Sequence, residues 1–498
     1  MSRFRLLLAF FYCLLIVKQG TGQVLSPKAL QRAQIHTSIS IAAQQPDSVF
    51  ILELTALKDW SSLAKFRNLN ILRIHDHQLQ DELIDFGSFP YLQELVIKAK
   101  YYYSDDNSPP TRLYKLSESI VKLKNLKVLD LSNNALGLGT GLEHIAQLPT
   151  LEVLNLVNNE IGVEFFIEET IAEVVEEYEE EEITVGDSLY KTIRKDIIEE
   201  YLYSGNWEGE DVLYVLINKL KNLKELNVSS NFIRDIPEQI KQLTALQRLN
   251  IANNHLFQLP VGLCALTKLE RLYAERNYIH ILPEDIGELK ELQKITLYQN
   301  PLYTLPKSFG QLHQLKELQF ERNYHLDWTN VFEVLKKLDN LMKLEIRHCG
   351  IEKMPKELTK LKHLKELNLY NNELLRFPDN IDQLTQLRSL IICDAGLYKL
   401  PDGLKKLQNL QTLVLYACDE LNWDAAFQLL GESVSLPKLR LDISYNTIEK
   451  WPTSIQKLSK LKQLQVYDAP KTRKNYNLLR KLLPSRLTEA DWQRFNNK

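Results

Sequence analysis

Three groups of residues in this sequence have the types and spacing that chemistry needs. His75 and His77 stand two apart in "IHDHQ", a spacing at which two imidazoles can reach one metal ion. Cys418 precedes Asp419, a thiol beside a carboxylate, which raises the reading of an activated nucleophile. Glu176, Glu177 and Glu179 to Glu182 gather carboxylates that suit a basic partner or calcium. The elements that carry these residues decide how far each reading goes.

Those elements repeat. Leu223, Leu246, Leu269, Leu292 and Leu315 follow one another at intervals of 23, and each opens the pattern L-x-x-L-x-L-x-x-N. Two examples are "LQRLNIANN" (246–254) and "LKELNLYNN" (364–372). Further copies open at Leu69, Leu92, Leu126, Leu151, Leu341, Leu387, Leu410 and Leu461, and a shortened one, "LRLDISYN", ends at Asn446. The L-x-L alternation has the period of a strand and sends leucines to one face. One copy cannot bury its leucines alone, so copies must stack, strand beside strand at about 4.8 Å.

Eight residues after the opening leucine stand Asn134, Asn159, Asn231, Asn254, Asn277, Asn300, Asn323, Asn372 and Asn446. An amide there can donate to and accept from backbone groups left unpaired where the chain turns inside the stack. His77 falls on the same position, so its ordinary role is to replace that amide. Cys349 and Cys418 bond there only weakly, and Ala395 and Ala469 not at all, so the ladder is expected to be weakest from 349 onward. After the strand most copies continue L-P-x-x-I/L, and a proline at that point suits a turn away from the sheet. Two copies instead read "LDWTNVFEVLKKL" and "LNWDAAFQLLGES", whose Trp328/Phe332/Leu335 and Trp423/Phe427/Leu430 spacing predicts longer helices.

With more than a dozen in-phase copies between Val49 and Tyr467, the chain resembles leucine-rich repeat proteins. The resemblance implies an α/β fold: a curved solenoid with a parallel sheet on its concave face and short helices and turns on its convex face. Residues 49–470 would form that solenoid, with an N-terminal cap over 23–48, amphipathic in "QRAQIHTSISIAAQQPDS", and a C-terminal cap over 471–498. Neither cap has the paired cysteines of animal and plant extracellular repeat receptors, which makes the chain look more like bacterial exported members. Some bacterial repeat proteins are ubiquitin ligases with a nucleophilic cysteine in a separate C-terminal domain. Only about thirty residues follow the last repeat here, so the resemblance does not extend to that activity.

Export is also expected from the start of the chain. Arg3 and Arg5 precede an apolar run from Leu6 to Val17, with Gly20 and Gly22 behind it, the anatomy of a secretory signal peptide over residues 1–22. The run of twelve is short against the roughly 20 residues that span a bilayer, so no stable membrane span is expected in the mature chain. Periplasm, cell surface and extracellular space all fit.

Charge is divided. Residues 160–211 hold 18 acidic and 3 basic residues, while the rest of the mature chain is net basic. This block lengthens one repeat by 49 residues, and Val163, Phe166, Ile167, Ile171, Val174, Val175 and Tyr178 recur at three and four. A helical hairpin inserted over 162–211 is expected. Its glutamates read first as a solvated face, then as a contact for a basic partner or the protein's own basic remainder, and last as a calcium site, since no hand-like loop spacing appears.

No catalytic motif, phosphate loop or nucleic-acid module appears, so neither an enzyme nor a cofactor, metal or nucleic-acid binder is expected. What remains is the outward surface. Six residues after the opening leucine stand Glu275, Tyr298, Glu321, Arg347, Tyr370, Cys393 and Tyr416, with Tyr467 beyond. Neighbouring positions add Tyr273, Arg276, Arg322, His348, Tyr278 and Tyr324. Earlier copies carry Ser132, Val157, Ser229 and Ala252 in the same column. Tyrosine and arginine are enriched at binding hot spots, so a protein partner is expected on this concave patch. The ordinary alternative is cross-strand packing and ion pairing within the sheet, and a glycan stacking on the tyrosines, or an enzyme regulated through the acidic insertion, are the other readings.

Overall fold

The computed structural model describes residues 23–79, 84–100, 112–138, 141–162, 212–393, 395–448 and 450–466. The expected leader 1–22, the acidic insertion beyond Gly162 as far as Asp211, the C-terminal cap 471–498, and Tyr467 and Ala469 lie outside the described residues. The chain divides into two compact units, one ending at Leu256 and the other beginning at Phe257.

In the first unit the strands are β1 (Ile35–His36), β2 (Ile51–Thr55), β3 (Ile71–His75), β4 (Glu94–Ile97), β5 (Val128–Asp130), β6 (Val153–Asn155), β7 (Glu225–Asn227) and β8 (Arg248–Asn250). Each pairs in parallel with the next. From β3 on, every strand begins two residues after an opening leucine, so the inward leucines align across strands: Leu72 with Leu95, Leu95 with Leu129, Leu129 with Leu154. β6 and β7 keep the register, Val153 opposite Glu225, although 69 residues of sequence separate the end of one from the start of the other. A helix, Val212–Lys219, returns the chain to the sheet and buries Leu213, Leu216 and Ile217.

The second unit continues the plan with β9 (Arg271–Tyr273), β10 (Lys294–Thr296), β11 (Glu317–Glu321), β12 (Lys343–Arg347), β13 (Glu366–Tyr370), β14 (Ser389–Cys393), β15 (Thr412–Tyr416), β16 (Arg440–Asp442) and β17 (Gln463–Gln465). These too are parallel and ordered as in the sequence. Strands β11 to β15 have five residues each, although Cys349, Ala395 and Cys418 fall among their repeats.

The ladder amides are buried and fully used. Asn231 accepts from the amides of Asn159 and Ile161, at 2.9 and 3.0 Å, and donates to the carbonyls of Leu156 and Val228, at 3.0 and 2.9 Å. Asn134, Asn254, Asn300 and Asn372 make the same kind of bonds to their own and the preceding repeat. Cys349 and Cys418 take the position with Sγ directed at the carbonyls of Arg347 (3.1 Å) and Tyr416 (3.3 Å). Their backbone amides are held by Asn372 and Asn446 of the next repeats, the same bond that Asn159 makes to Asn231, so the thiol weakens the bonds it makes and not the one its own amide makes. His77 also stands on the ladder, 2% exposed, with Nε2 2.8 Å from Asn134 Oδ1 and Nδ1 accepting from the Leu79 amide. That pairing fixes the proton on Nε2.

To aim this side chain inward the backbone turns sharply one residue earlier. Asn133, Asn158, Asn253, Arg276, Gln299, Arg322, His348 and Asn371 all hold φ between 51° and 65°, in the left-handed region. A second series of amides stands just before the opening leucine. Asn68, Asn125, Asn222, Asn340 and Asn409 each donate to a carbonyl of the preceding repeat, at 2.7 to 3.0 Å.

Opposite the sheet, Pro237, Pro260, Pro306, Pro355, Pro401 and Pro452 each stand immediately before a 3₁₀ helix. The two tryptophan copies form α-helices, Trp328–Leu335 and Trp423–Gly431, as their spacing predicts. Asp327 and Asn422 cap them by accepting from first-turn amides. The N-terminal segment departs from an amphipathic cap. It forms two single-turn α-helices, Pro27–Leu30 and Ile39–Ala42, around β1, burying Ala42 but leaving Ile35 and Ile41 52% and 63% exposed. Hydrogen bonding ties it down instead, with the Leu25 amide on Asn70 Oδ1 and the Leu25 carbonyl on Gln93 Nε2.

The two amide series differ in burial and therefore in worth. Asn231→Ala orphans four buried backbone groups and is expected to cost about 3 kcal/mol or more, while Asn222→Ala at the exposed series costs about 1 kcal/mol or less, as read from urea midpoints. His77 gives a pH signature. Burial holds its imidazole below the ordinary value of 6.5, so the unfolded chain takes up a proton that the fold resists. Its contribution is intact above the unfolded value and declines as pH falls through about 6.5. His77→Asn, which restores the amide, is expected to flatten stability between pH 7.5 and 5.5 relative to the unaltered chain.

Candidate functional site

The outward residues of the second unit stand in the columns that the repeat dictates. The register puts Lys294 beside Glu317 and Glu317 beside Lys343, then Glu321 beside Arg347, Tyr370 beside Cys393, and Cys393 beside Tyr416. These columns do not form one uniform patch. They resolve into three neighbourhoods.

The first is polar and internally bonded. The Glu275 carboxylate accepts from Thr296 Oγ1 and, at 3.5 Å, from the Tyr298 hydroxyl. Burial, with the Glu275 charge behind it, pushes the Tyr298 phenol up. Arg276 Nε donates to Gln299 at 2.8 Å, and Lys294 lies over the Tyr273 ring at 6.0 Å. Arg347 pairs with Glu321 at 2.5 Å and approaches Glu345, which also holds Lys343 at 2.8 Å. The hydrogen bond from Lys294 draws the Glu317 carboxyl down, and the bond that Lys343 donates to Glu345 raises Lys343. Most of these side chains are half-buried, and their charges are matched within the sheet.

The second neighbourhood opens toward solvent. His348 and Tyr370 bring their rings to 5.4 Å, Asn371 Nδ2 meets His348 Nδ1 at 2.6 Å, and Tyr370 is exposed. Beyond a fully buried Cys393, Tyr416 donates to Asp442 at 2.7 Å and meets the exposed Tyr445 edge-on at 5.6 Å. Burial and the Asp442 bond push the Tyr416 phenol far up. Tyr445, which lies in the shortened copy, joins this group without belonging to the expected column.

The third lies just past the ladder, where Tyr278 and Tyr324 are 48% and 62% exposed. Tyr278 stacks on Phe257 at 5.6 Å. Phe257 lies parallel to His280, His280 meets Tyr303, and Tyr303 meets His325. Phe257, His280 and Tyr303 recur at 23 residues, eleven after successive opening leucines, so the period itself carries the signal that finds them.

Glu176, Glu177 and Glu179 to Glu182 lie outside the described residues, and the other two groups read for chemistry in the sequence take ordinary structural roles. His77 is a ladder residue, and His75 lies 3.8 Å from Glu53. Cys418 is buried on the ladder, while Asp419 accepts from the Thr447 amide. Burial pushes the Cys349 thiol up to about 12, far from a thiolate. Among the described residues no three His, Cys, Asp or Glu side chains gather as a metal site would require. No described helix is long and apolar enough to cross a membrane.

Stacked parallel strands, buried ladder amides in most turns and columns at the repeat period define a leucine-rich repeat protein, and family models agree. "Leucine-rich repeat region" matches residues 329–495, "Leucine Rich repeats (2 copies)" residues 221–261, and "Leucine Rich Repeat" residues 125–148. Solved structures share this fold. A leucine-rich repeat protein of Leptospira interrogans is similar at TM-score 0.66 and 24% identity, over 91% of this chain and 99% of that one. The Toll–Spätzle complex of Drosophila is similar at TM-score 0.54 and 16% identity, over 87% of this chain and 54% of that chain. An internalin of Listeria monocytogenes gives TM-score 0.49 and 17% identity, over 86% and 88%. No curated protein matches the sequence. Leucine-rich repeat scaffolds typically serve protein–protein interaction.

The left-handed turn offers a way to alter the outward face without disturbing the stack. Arg322 holds φ 54°, where a side chain costs about 1–2 kcal/mol and a β-branched one more. Arg322→Gly is expected to leave the urea midpoint nearly unchanged, whereas Arg322→Val lowers stability by about 2 kcal/mol.

Proposed function

We propose that the chain is an exported, non-enzymatic binding scaffold that takes a protein partner on the outward sheet face of residues 271 to 418. The observation that supports this most is the change in one column. Ser132, Val157, Ser229 and Ala252 occupy it in the first unit, and Tyr298, Arg347, Tyr370 and Tyr416 in the second. Large rings and guanidinium groups at strand spacing offer contact area and directional bonds at modest entropic cost.

The three neighbourhoods suggest a division of labour. The exposed Tyr370 and the half-buried His348 beside it form the centre of the proposed contact, with Tyr416 and Tyr445 at one side. Glu321, Arg347 and Glu345 hold one another, so they would set orientation and charge complementarity more than raw affinity. The leader 1–22 supports export, and the acidic insertion is proposed as an appendage of the repeat that follows Leu151.

The mature chain, used as bait on exported and surface proteins, is expected to retain a partner. Tyr298→Ala, Arg347→Ala and Tyr370→Ala together should reduce that capture at least about tenfold, since hot-spot truncations cost 1–2 kcal/mol or more each. Undiminished capture by this triple variant, with an unchanged circular dichroism spectrum, would falsify the assignment of the face. Loss of capture only on removing 163–210 would move the function to the insertion.

A further inference from the structure

The tetrapeptide Glu-Arg-Asn-Tyr occurs twice, at 275–278 and 321–324, two repeats apart. In each copy the asparagine is a buried ladder amide, while the arginine and tyrosine on either side of it are exposed. The glutamate of each copy bonds elsewhere, Glu275 to Thr296 and Tyr298 and Glu321 to Arg347. Neither glutamate is therefore spent on the arginine that follows it. Gln299 holds Nε of Arg276 and leaves the two terminal nitrogens of the guanidinium for a further acceptor. Both arginines hold left-handed backbone, a conformation that suits asparagine or glycine better.

A line of rings from Phe257 to His325 runs past both copies. Phe257 is 52% exposed and Tyr303 49%, with His280 between them and His325 beyond. Adjacent rings along the line are 5.6 to 6.4 Å apart. Each of four successive repeats thus contributes at least one ring, while only alternate repeats contribute an arginine. A row of exposed aromatic area of this extent marks an interaction surface. Each ring offers an apolar body, and tyrosine and histidine add a polar tip.

The two periods specify a ligand. A pyranose has an apolar C–H face that packs on an aromatic ring and a rim of hydroxyls that meets polar tips. A polysaccharide that alternates a uronic acid with a neutral sugar carries one carboxylate per two rings, the ratio of arginines to ringed repeats here. We propose that the edge formed by Phe257, Arg276, Tyr278, Tyr303, Arg322 and Tyr324 binds such an acidic polysaccharide, the charged sugars at the two Arg-Asn-Tyr stations. The stations are about 10 Å apart by strand spacing, within reach of successive carboxylates on an extended chain. Arg276, Tyr278, Arg322 and Tyr324 fall within the stretch 271 to 418 proposed for a protein partner, but the polysaccharide is tested on its own and does not depend on that reading.

The test uses the mature chain with three probes: a hyaluronate octasaccharide, a neutral chitin hexasaccharide and poly-glutamate, in titration calorimetry. Hyaluronate is expected to bind, and the other two to bind at least about tenfold more weakly. Arg276→Gln with Arg322→Gln, which copies the residue of the intervening repeat, should weaken hyaluronate about tenfold. Phe257→Ala with Tyr303→Ala should do the same, while Tyr370→Ala should leave hyaluronate binding unchanged. Absence of hyaluronate binding overturns the proposal, as does equal binding of the neutral sugar. Poly-glutamate bound as well as hyaluronate, or rim variants that bind like the unaltered chain, would show a purely ionic or a different site and also overturn it. Unchanged melting temperatures of the rim variants separate loss of binding from loss of fold.

Discussion

The stack rests on what happens to a few backbone groups where each strand ends. A chain that leaves a buried strand and turns inward leaves N–H and C=O groups with no strand partner and no water. Each would cost free energy comparable to a lost hydrogen bond. The ladder amide answers with one side chain, donating to two carbonyls and accepting from amides of the preceding repeat, as Asn231 does. Because the bonds cross from one repeat to its neighbour, the side chain also fixes how far apart the repeats lie. Every outward column inherits its spacing from this inner one.

The same constraint explains which departures the ladder tolerates. Cys349 and Cys418 keep a weak donor, and their own backbone amides meet the following asparagine as at any other ladder position. His77 supplies one donor and one acceptor in a fixed tautomer. The ladder, expected to be weakest from 349 onward, carries thiol contacts at Cys349 and Cys418 in place of amide bonds. The strands around those positions nevertheless have the same five residues as β11, which precedes them.

Much of the fold was legible in the sequence because a parallel stack turns a period along the chain into a distance in space. The opening leucines locate the strands, and Trp328 and Trp423 locate the longer helices. The site was less legible. The bonds that quiet Glu275 and Tyr416 run diagonally, from the sixth residue of one repeat to the fourth of the next, and a comparison within columns passes over them. The rings of Phe257, His280 and Tyr303 lie beyond the asparagine, outside the stretch that the leucines define. Ile35 and Ile41 show the limit of amphipathic pattern in a short segment, where hydrogen bonds to Asn70 and Gln93 do the anchoring.

The left-handed residue before each ladder position has a consequence for how such a surface diversifies. A regular strand shows every second side chain to a given face, so half of its letters are committed to the interior. The sharp turn breaks that alternation at its last step, and two consecutive residues, such as Glu321 and Arg322 or Arg347 and His348, both leave the core. The recognition alphabet of a repeat therefore includes an adjacent pair that can vary together while the leucines and the asparagine stay constant. Across a stack, those pairs make a two-dimensional array in which one axis is set by the repeat and the other by the turn.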